Sequence, residues 1–132
     1  MQRARPSGTL RPMTSGLKIA MWSLVLVMAM SACASMIKPE MPRPVSGGVR
    51  FTLSAPEAKT VYVVGSFNGW VKGATSMKRE GQTGVWVAEV MIRPGEHTFM
   101  YLVDGKEWVA PPLAEDFVRD GFGQTNGVVI VR

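Results

Sequence analysis

The 132-residue chain predicts an all-β fold, a β-sandwich of about seven short strands. Runs rich in β-branched and aromatic residues alternate with turns rich in Gly, Pro, Asn and Asp, a spacing typical of sandwiches. In the part that follows residue 48, no segment shows a helical period with capping residues. The predicted strands cover residues 49–54, 60–65, 76–79 (the weakest), 85–92, 97–103, 107–109 and 127–131.

Tryptophans occupy three of these strands or the turns beside them. Residues 65–70 read GSFNGW and residues 103–108 read VDGKEW, each at the end of an alternating apolar run. Asn-Gly and Asp-Gly dipeptides favour tight turns, so Trp70 and Trp108 are expected at loops. Trp86 instead alternates with other apolar residues along one face of its strand and is predicted to lie in the core.

The two loop tryptophans suggest a binding surface. Sugars present a face of C–H groups and a rim of hydroxyls, so a sugar site needs flat aromatic rings and side chains that donate and accept hydrogen bonds. Trp70 and Trp108 provide such rings. The alternative role for each ring is packing beneath its loop.

Four ordered segments resemble a known family. VYVVGSFNGW, GVWVAEV, PGEHTFMYLVDGKEW and GFGQTNGVVIV follow one another within residues 49–132. In wording and spacing they are similar to the glycogen-binding domain of the AMP-activated protein kinase β subunit and to isoamylase amino-terminal domains, which form carbohydrate-binding module family 48. The resemblance implies an immunoglobulin-like β-sandwich that binds α-glucan, such as glycogen, starch or maltooligosaccharide, without catalysis or a cofactor.

The resemblance also implies which side chains contact the sugar. Trp70 and Trp108 match the two tryptophans that stack on glucose units, and Asn126 matches the sugar-contacting asparagine just before the last strand. Phe122 and Gln124 match an apolar residue and a small polar contact on the flanking loop. For Asn126, a turn cap through its own backbone is the alternative.

One position departs from the family pattern. Met100 stands where the kinase-subunit members carry a lysine that reaches the glucan. A thioether cannot replace an ammonium as a hydrogen-bond donor. This departure leaves a second function open, in which an immunoglobulin-like adaptor recruits a partner protein or enzyme of the cell envelope without binding sugar.

Catalysis and metal binding are not indicated. The chain has one histidine, His97, without a serine or cysteine motif to pair with, and its acids are scattered over loops and strand exteriors. A glycosidase needs two carboxylates at a defined separation across the bond. We therefore predict a non-catalytic protein with no metal site and no cofactor.

The amino-terminal 32 residues have the pattern of a signal peptide. A basic, acid-free segment precedes an apolar run over residues 19–30, which is shorter than the ~20 residues that a membrane-spanning helix needs. The run ends in Met30-Ser31-Ala32-Cys33, which resembles a bacterial lipoprotein processing box. We expect lipidation at Cys33, translation from Met1 or Met13, and an envelope location, with the periplasmic face of the outer membrane favoured over the inner membrane. The alternative is that Cys33 is only a small apolar residue of the signal.

The net charge of +5 does not indicate nucleic-acid binding. Four of the 15 basic residues precede Cys33, whereas all 10 acidic residues follow it, so a processed chain would be nearly neutral. Residues 33–48 contain three prolines and a glycine pair, which predicts a flexible linker. The predicted organisation is thus a signal over residues 1–32, a lipidated linker over 33–48 and a domain over 49–132.

Overall fold

A computed structural model describes residues 37–132 and the isolated Gly8. Residues 37–132 form nine β-strands and a short 3-10 turn, Ser66–Asn68. The strands are β1 (Arg43–Val45), β2 (Gly48–Ser54), β3 (Val61–Gly65), β4 (Lys78–Arg79), β5 (Val85–Met91), β6 (Gly95–Val103), β7 (Glu107–Val109), β8 (Asp116–Arg119) and β9 (Thr125–Val131).

The strands pair antiparallel in two sheets. The first sheet has the order β1-β2-β5-β4, and the second has the order β3-β6-β9-β8. On the side of β6 that faces away from β3, β9 pairs with its first half and β7 with its last three residues. Both sheets contribute to one buried cluster, so the predicted β-sandwich is confirmed.

Residues of β2, β3, β5, β6 and β9 point alternately into the space between the sheets, as the pleat of a β-strand requires. The resulting cluster comprises Val49, Phe51, Leu53, Ala58, Val61, Val63, Met77, Trp86, Ile92, Phe99, Tyr101 and Val129.

Two aromatic residues of the core also use their polar atoms. Trp86 Nε1 donates to the Ala55 carbonyl at 2.9 Å, which confirms Trp86 as a core residue with its polar atom satisfied. Tyr101 donates its hydroxyl to the Thr52 carbonyl at 3.3 Å, and burial raises the pKa of this phenol.

The linker predicted over residues 33–48 is wrong at its carboxyl end, because Arg43–Val45 pairs with β2. A proline is tolerated on the outermost strand of a sheet, where its missing N–H costs no ladder bond, and Pro44 occupies such a strand. Gly47, with φ of 76°, closes the turn between β1 and β2. The proline and glycine content of this segment therefore predicted a linker where the structure has strand β1.

Strand β8 was also missed. Its four residues are all exposed at the edge of the second sheet. An exposed strand of this length has no inward-facing apolar period to detect. The addition of β1 and β8 raises the number of strands from the predicted seven to nine.

The predicted signal peptide, Cys33 and residues 34–36 lie outside the described residues. Within residues 37–132, no helix has the length and apolar character needed to cross a membrane.

Candidate binding site

The outward face of the second sheet carries a depression of about 340 Å³. Thr98 and Met100 on β6 and Asn126 on β9 lie at its base, because they alternate with core residues such as Phe99. Loops around these strands supply the rest of the lining. The depression is lined by Trp70, Thr98, Met100, Trp108, Asp120, Phe122, Gln124 and Asn126, so all five predicted sugar-contacting residues lie together.

Trp70 is presented by an unusual backbone. Its φ is 60°, in the left-handed region that a bulky residue rarely adopts. Its N–H donates to the Gly65 carbonyl at 2.9 Å, and Gly69 before it also has a positive φ. The ring is 38% exposed. The chain thus accepts backbone strain of about 1–2 kcal/mol at a residue whose ring is not buried in the core.

The side chain of Asn68 holds this loop in place. Its Oδ1 accepts from the Gly65 N–H at 3.0 Å, and its Nδ2 donates to the Val63 carbonyl at 3.0 Å and the Thr75 hydroxyl at 3.1 Å. The amide therefore ties the end of β3 to the far side of the loop. In the sequence, Asn68 is recognisable only as part of a turn signal, and its link to Thr75 has no signature there.

Trp108 reaches the same depression from the second sheet. It lies on β7 opposite Leu102 of β6 and is half-buried. The ammonium of Lys72, which follows Trp70 in the chain, lies 5.6 Å from the centre of the Trp108 ring. At this distance a cation is attracted to the face of an indole, so the two tryptophan-bearing segments interact directly.

Asn126 is a buried polar residue at the base of the depression. It lies within β9, opposite Val118 of β8, and is 8% exposed. Among the described residues, its Oδ1 has no hydrogen-bond partner. Because β9 begins at Thr125 rather than at residue 127, Asn126 belongs to the sheet, and its proposed role as a turn cap is wrong.

Phe122 and Gln124 lie on the turn between β8 and β9. The Phe122 ring is 95% exposed, and Gln124 is exposed beside it. Asp120 Oδ1 accepts from the N–H groups of both residues at 2.9 Å. Asp120 also lines the depression, and it is the one ionisable side chain there that the structure describes. Asp120 was not among the predicted site residues.

Met100, which stands where the kinase-subunit members carry a lysine, is buried as well as apolar. Met100 is 4% exposed and lies at the base of the depression beside Thr98 and Asn126. Its side chain offers an apolar surface with only a weak acceptor. Any hydrogen bonds to a ligand at this point must therefore come from its neighbours.

A larger cavity of about 700 Å³ lies against β2, where Arg50 forms ion pairs with Glu80 at 3.1 Å and Glu89 at 3.2 Å. Among residues 37–132, no aromatic side chain lines this cavity. Without a ring it cannot stack on a sugar, so the smaller depression has the chemistry that the sequence predicts.

His97, the histidine considered for catalysis, has a structural role in the fold. His97 has Nδ1 3.3 Å from the Ser66 hydroxyl and Nε2 2.9 Å from the Arg93 carbonyl. Its ring thus links the start of the Trp70 loop to the turn before β6. Within residues 37–132, no group of three or more His, Cys, Asp or Glu side chains could hold a metal ion.

Comparison with known proteins identifies relatives over the same region. The chain is 43% identical over 65 residues to the 1,4-α-glucan branching enzyme GlgB of Pseudomonas syringae pv. tomato, covering 48% of this chain and 9% of the enzyme. It is 36% identical over 73 residues to GlgB 2 of Rhizobium johnstonii, covering 54% and 10%. GlgB 2 of Clostridium perfringens is 50% identical over 40 residues, covering 30% and 6%.

The chain therefore spans about a tenth or less of the length of these relatives. A family model provides the wider match. It is described as the glycogen recognition site of AMP-activated protein kinase, and it matches residues 49–132, which contain β2 from its second residue, β3 to β9 and every residue named above as lining the depression. The chain thus belongs to the family of glycogen recognition domains of AMP-activated protein kinase.

Proposed function

We propose that this domain binds α-glucan in the depression on the second sheet and does not cleave or transfer glucose units. One observation carries the proposal: Trp70 on its loop and Trp108 on β7 line the same depression as the buried amide of Asn126. This arrangement combines aromatic faces with a polar group that can both donate and accept. The relatives are named for 1,4-α-glucan, and we assign the same class of ligand to this domain.

The chemistry of the lining suits a neutral sugar. Each indole can stack on the C–H face of a glucose unit, and a stacked aromatic contributes about 0.5–1.5 kcal/mol beyond simple burial. The amides of Asn126 and Gln124 can bridge adjacent hydroxyls. A volume of about 340 Å³ lies near the lower end of the range for small-molecule sites, which favours contact with a few glucose units of a longer chain.

The lining does not support hydrolysis. Within the described part of the chain, Asp120 is its one carboxylate, and one oxygen of this group accepts hydrogen bonds from two backbone N–H groups. A glycosidase requires two carboxylates across the scissile bond. We propose a binding role that is weak by itself, because Met100 contributes no strong hydrogen bond.

We further propose that Cys33 carries a lipid that anchors the domain in the bacterial envelope. The support is the sequence alone: a basic segment, an apolar run and small residues directly before a cysteine. The periplasmic face of the outer membrane is the proposed location. An anchored module of this kind would hold glucan, or a glucan-bound partner enzyme, near the membrane.

Calorimetric titration of the full chain with β-cyclodextrin and with maltoheptaose tests the glucan proposal. Trp70→Ala and Trp108→Ala should each weaken binding by about tenfold, given the contribution of a stacked ring. Trp86→Phe, a change in the core, is the control: it should lower stability and leave the affinity of the folded protein nearly intact. If no glucan binds at millimolar concentration, or if both alanine variants keep full affinity, the adaptor function replaces this one.

A further inference from the structure

We propose that Asp120 is a positioning residue, which holds Phe122 and Gln124 in the conformation that receives the ligand. The inference rests on the proposed function, because the ligand is taken to be the same α-glucan. It adds a residue that acts on the site through the backbone of its own turn.

Asp120 organises the whole turn between β8 and β9. Its Oδ1 accepts from the N–H groups of Phe122 and Gln124, both at 2.9 Å. Its own N–H donates to the Gln124 carbonyl at 3.0 Å, and its carbonyl accepts from Gly123 at 3.4 Å. A single residue therefore makes four hydrogen bonds to a turn of four residues.

The turn has little else to hold it. The Phe122 ring is 95% exposed, so packing does not fix its position. Gly121 and Gly123 flank it, and a Cβ added at either glycine would meet no atom within 4 Å. Gly123 also has a φ of 88°, which a glycine adopts freely. Without its carboxylate, residue 120 would keep the two backbone hydrogen bonds to Gly123 and Gln124 and lose the other two, so this segment would be expected to sample more backbone conformations.

Order in this turn matters for affinity because two of the lining side chains belong to it. A flexible turn must lose conformational freedom when the ligand binds, and that loss reduces the affinity. Hydrogen bonds from N–H groups to a carboxylate are roughly twice as strong as neutral ones. Asp120 is thus well suited to fix the turn before the ligand arrives.

Asp116 provides a matched control on the same hairpin. Its Oδ1 also accepts a backbone N–H, that of Phe117, at 2.7 Å. Asp116 does not line the depression. Replacing Asp116 therefore removes the same charge and the same type of bond without affecting the turn that carries Phe122.

The test measures β-cyclodextrin binding to the full chain by calorimetry. Asp120→Ala should lower affinity by about tenfold, whereas Asp120→Asn, which keeps an acceptor oxygen, should recover most of that loss. Asp116→Ala should bind as the wild type does. In a Phe122→Ala, Gln124→Ala background, Asp120→Ala should cost little more, because residues that act as one unit are not additive. Wild-type affinity in Asp120→Ala, or equal losses in Asp120→Asn and Asp120→Ala, would overturn the positioning role.

A ligand-free measurement separates this inference from the proposed function. Amide hydrogen exchange at Phe122 and Gln124 should accelerate in Asp120→Ala and return towards the wild-type rate in Asp120→Asn. If exchange does not change, Asp120 does not hold the turn, whether or not glucan binds. If exchange accelerates but the wild type binds no glucan, the glucan function fails, and with it the claim that Asp120 positions the turn for glucan.

Discussion

Replacing Asn126 with valine should stabilise the protein while weakening its binding of glucan. The Asn126 amide is buried within β9, and its Oδ1 has no partner among the described residues. An unsatisfied buried polar group costs about 1–3 kcal/mol, and valine removes this cost while favouring a strand. The expected gain is about 1 kcal/mol or more, which raises the melting temperature by about 4–8 °C in a domain of this size.

The assay compares guanidinium unfolding and β-cyclodextrin titration of the same full-length variants. Thr98→Val is the matched control, because Thr98 lines the same depression from the adjacent strand but is not among the buried groups without a partner. This change should alter stability little. A lower unfolding midpoint for Asn126→Val than for the wild type would show that the amide is satisfied in the folded protein. The reasoning that links its burial to ligand binding would then be refuted.

Three further predictions concern the backbone at Trp70, the acid sensitivity of the fold and the proposed anchor. Trp70→Gly should be more stable than Trp70→Ala by about 1 kcal/mol in chemical denaturation, because only glycine relieves the left-handed backbone; equal stabilities would contradict the strain. Hydrogen bonds from the Thr60 and Lys59 N–H groups hold the pKa of Asp104 below its usual 3.8. Its contribution to stability is therefore present above about pH 4 and is lost as the pH falls through the lowered pKa. Asp104→Asn should make the melting temperature depend less on pH in this acid range. If the dependence is the same as in the wild type, Asp104 does not contribute to it. Cys33→Ala should release the protein from membranes or leave it unprocessed, and a membrane-bound mutant of normal mature size would rule out the anchor.

The sequence was sufficient to predict the architecture because the signals for it are local. Alternation along β5, the apolar run of β6 and the Asp-Gly turn after β6 identify strands and place Trp86 inside and Trp108 near a loop. Strands β1 and β8 were not predicted, because each is identified by its pairing with a neighbouring strand and not by a pattern in its own residues. Pro44 fits a strand only because β1 lies at a sheet edge.

The candidate site was predictable in its aromatic and amide residues but not in the residues that support them. Asn68 bonds to Thr75 across its loop, and Asp120 bonds to Phe122 and Gln124 only once the β8–β9 turn has formed. Composition and spacing carry no sign of such contacts. The buried state of the Asn126 oxygen likewise depends on the pairing of β9 with β8, which the sequence analysis did not predict.

Two features that are unfavourable for stability occur in one depression together with an exposed aromatic ring. Trp70 has a left-handed backbone, Asn126 buries an oxygen without a partner, and the Phe122 ring is 95% exposed. A sequence shaped by stability alone would favour a glycine in place of Trp70 and an apolar residue in place of Asn126. Local departures of this kind concentrate at functional sites, where stability is given up for binding. Since all three side chains line the same depression, their coincidence argues that this face of the second sheet is kept for a ligand.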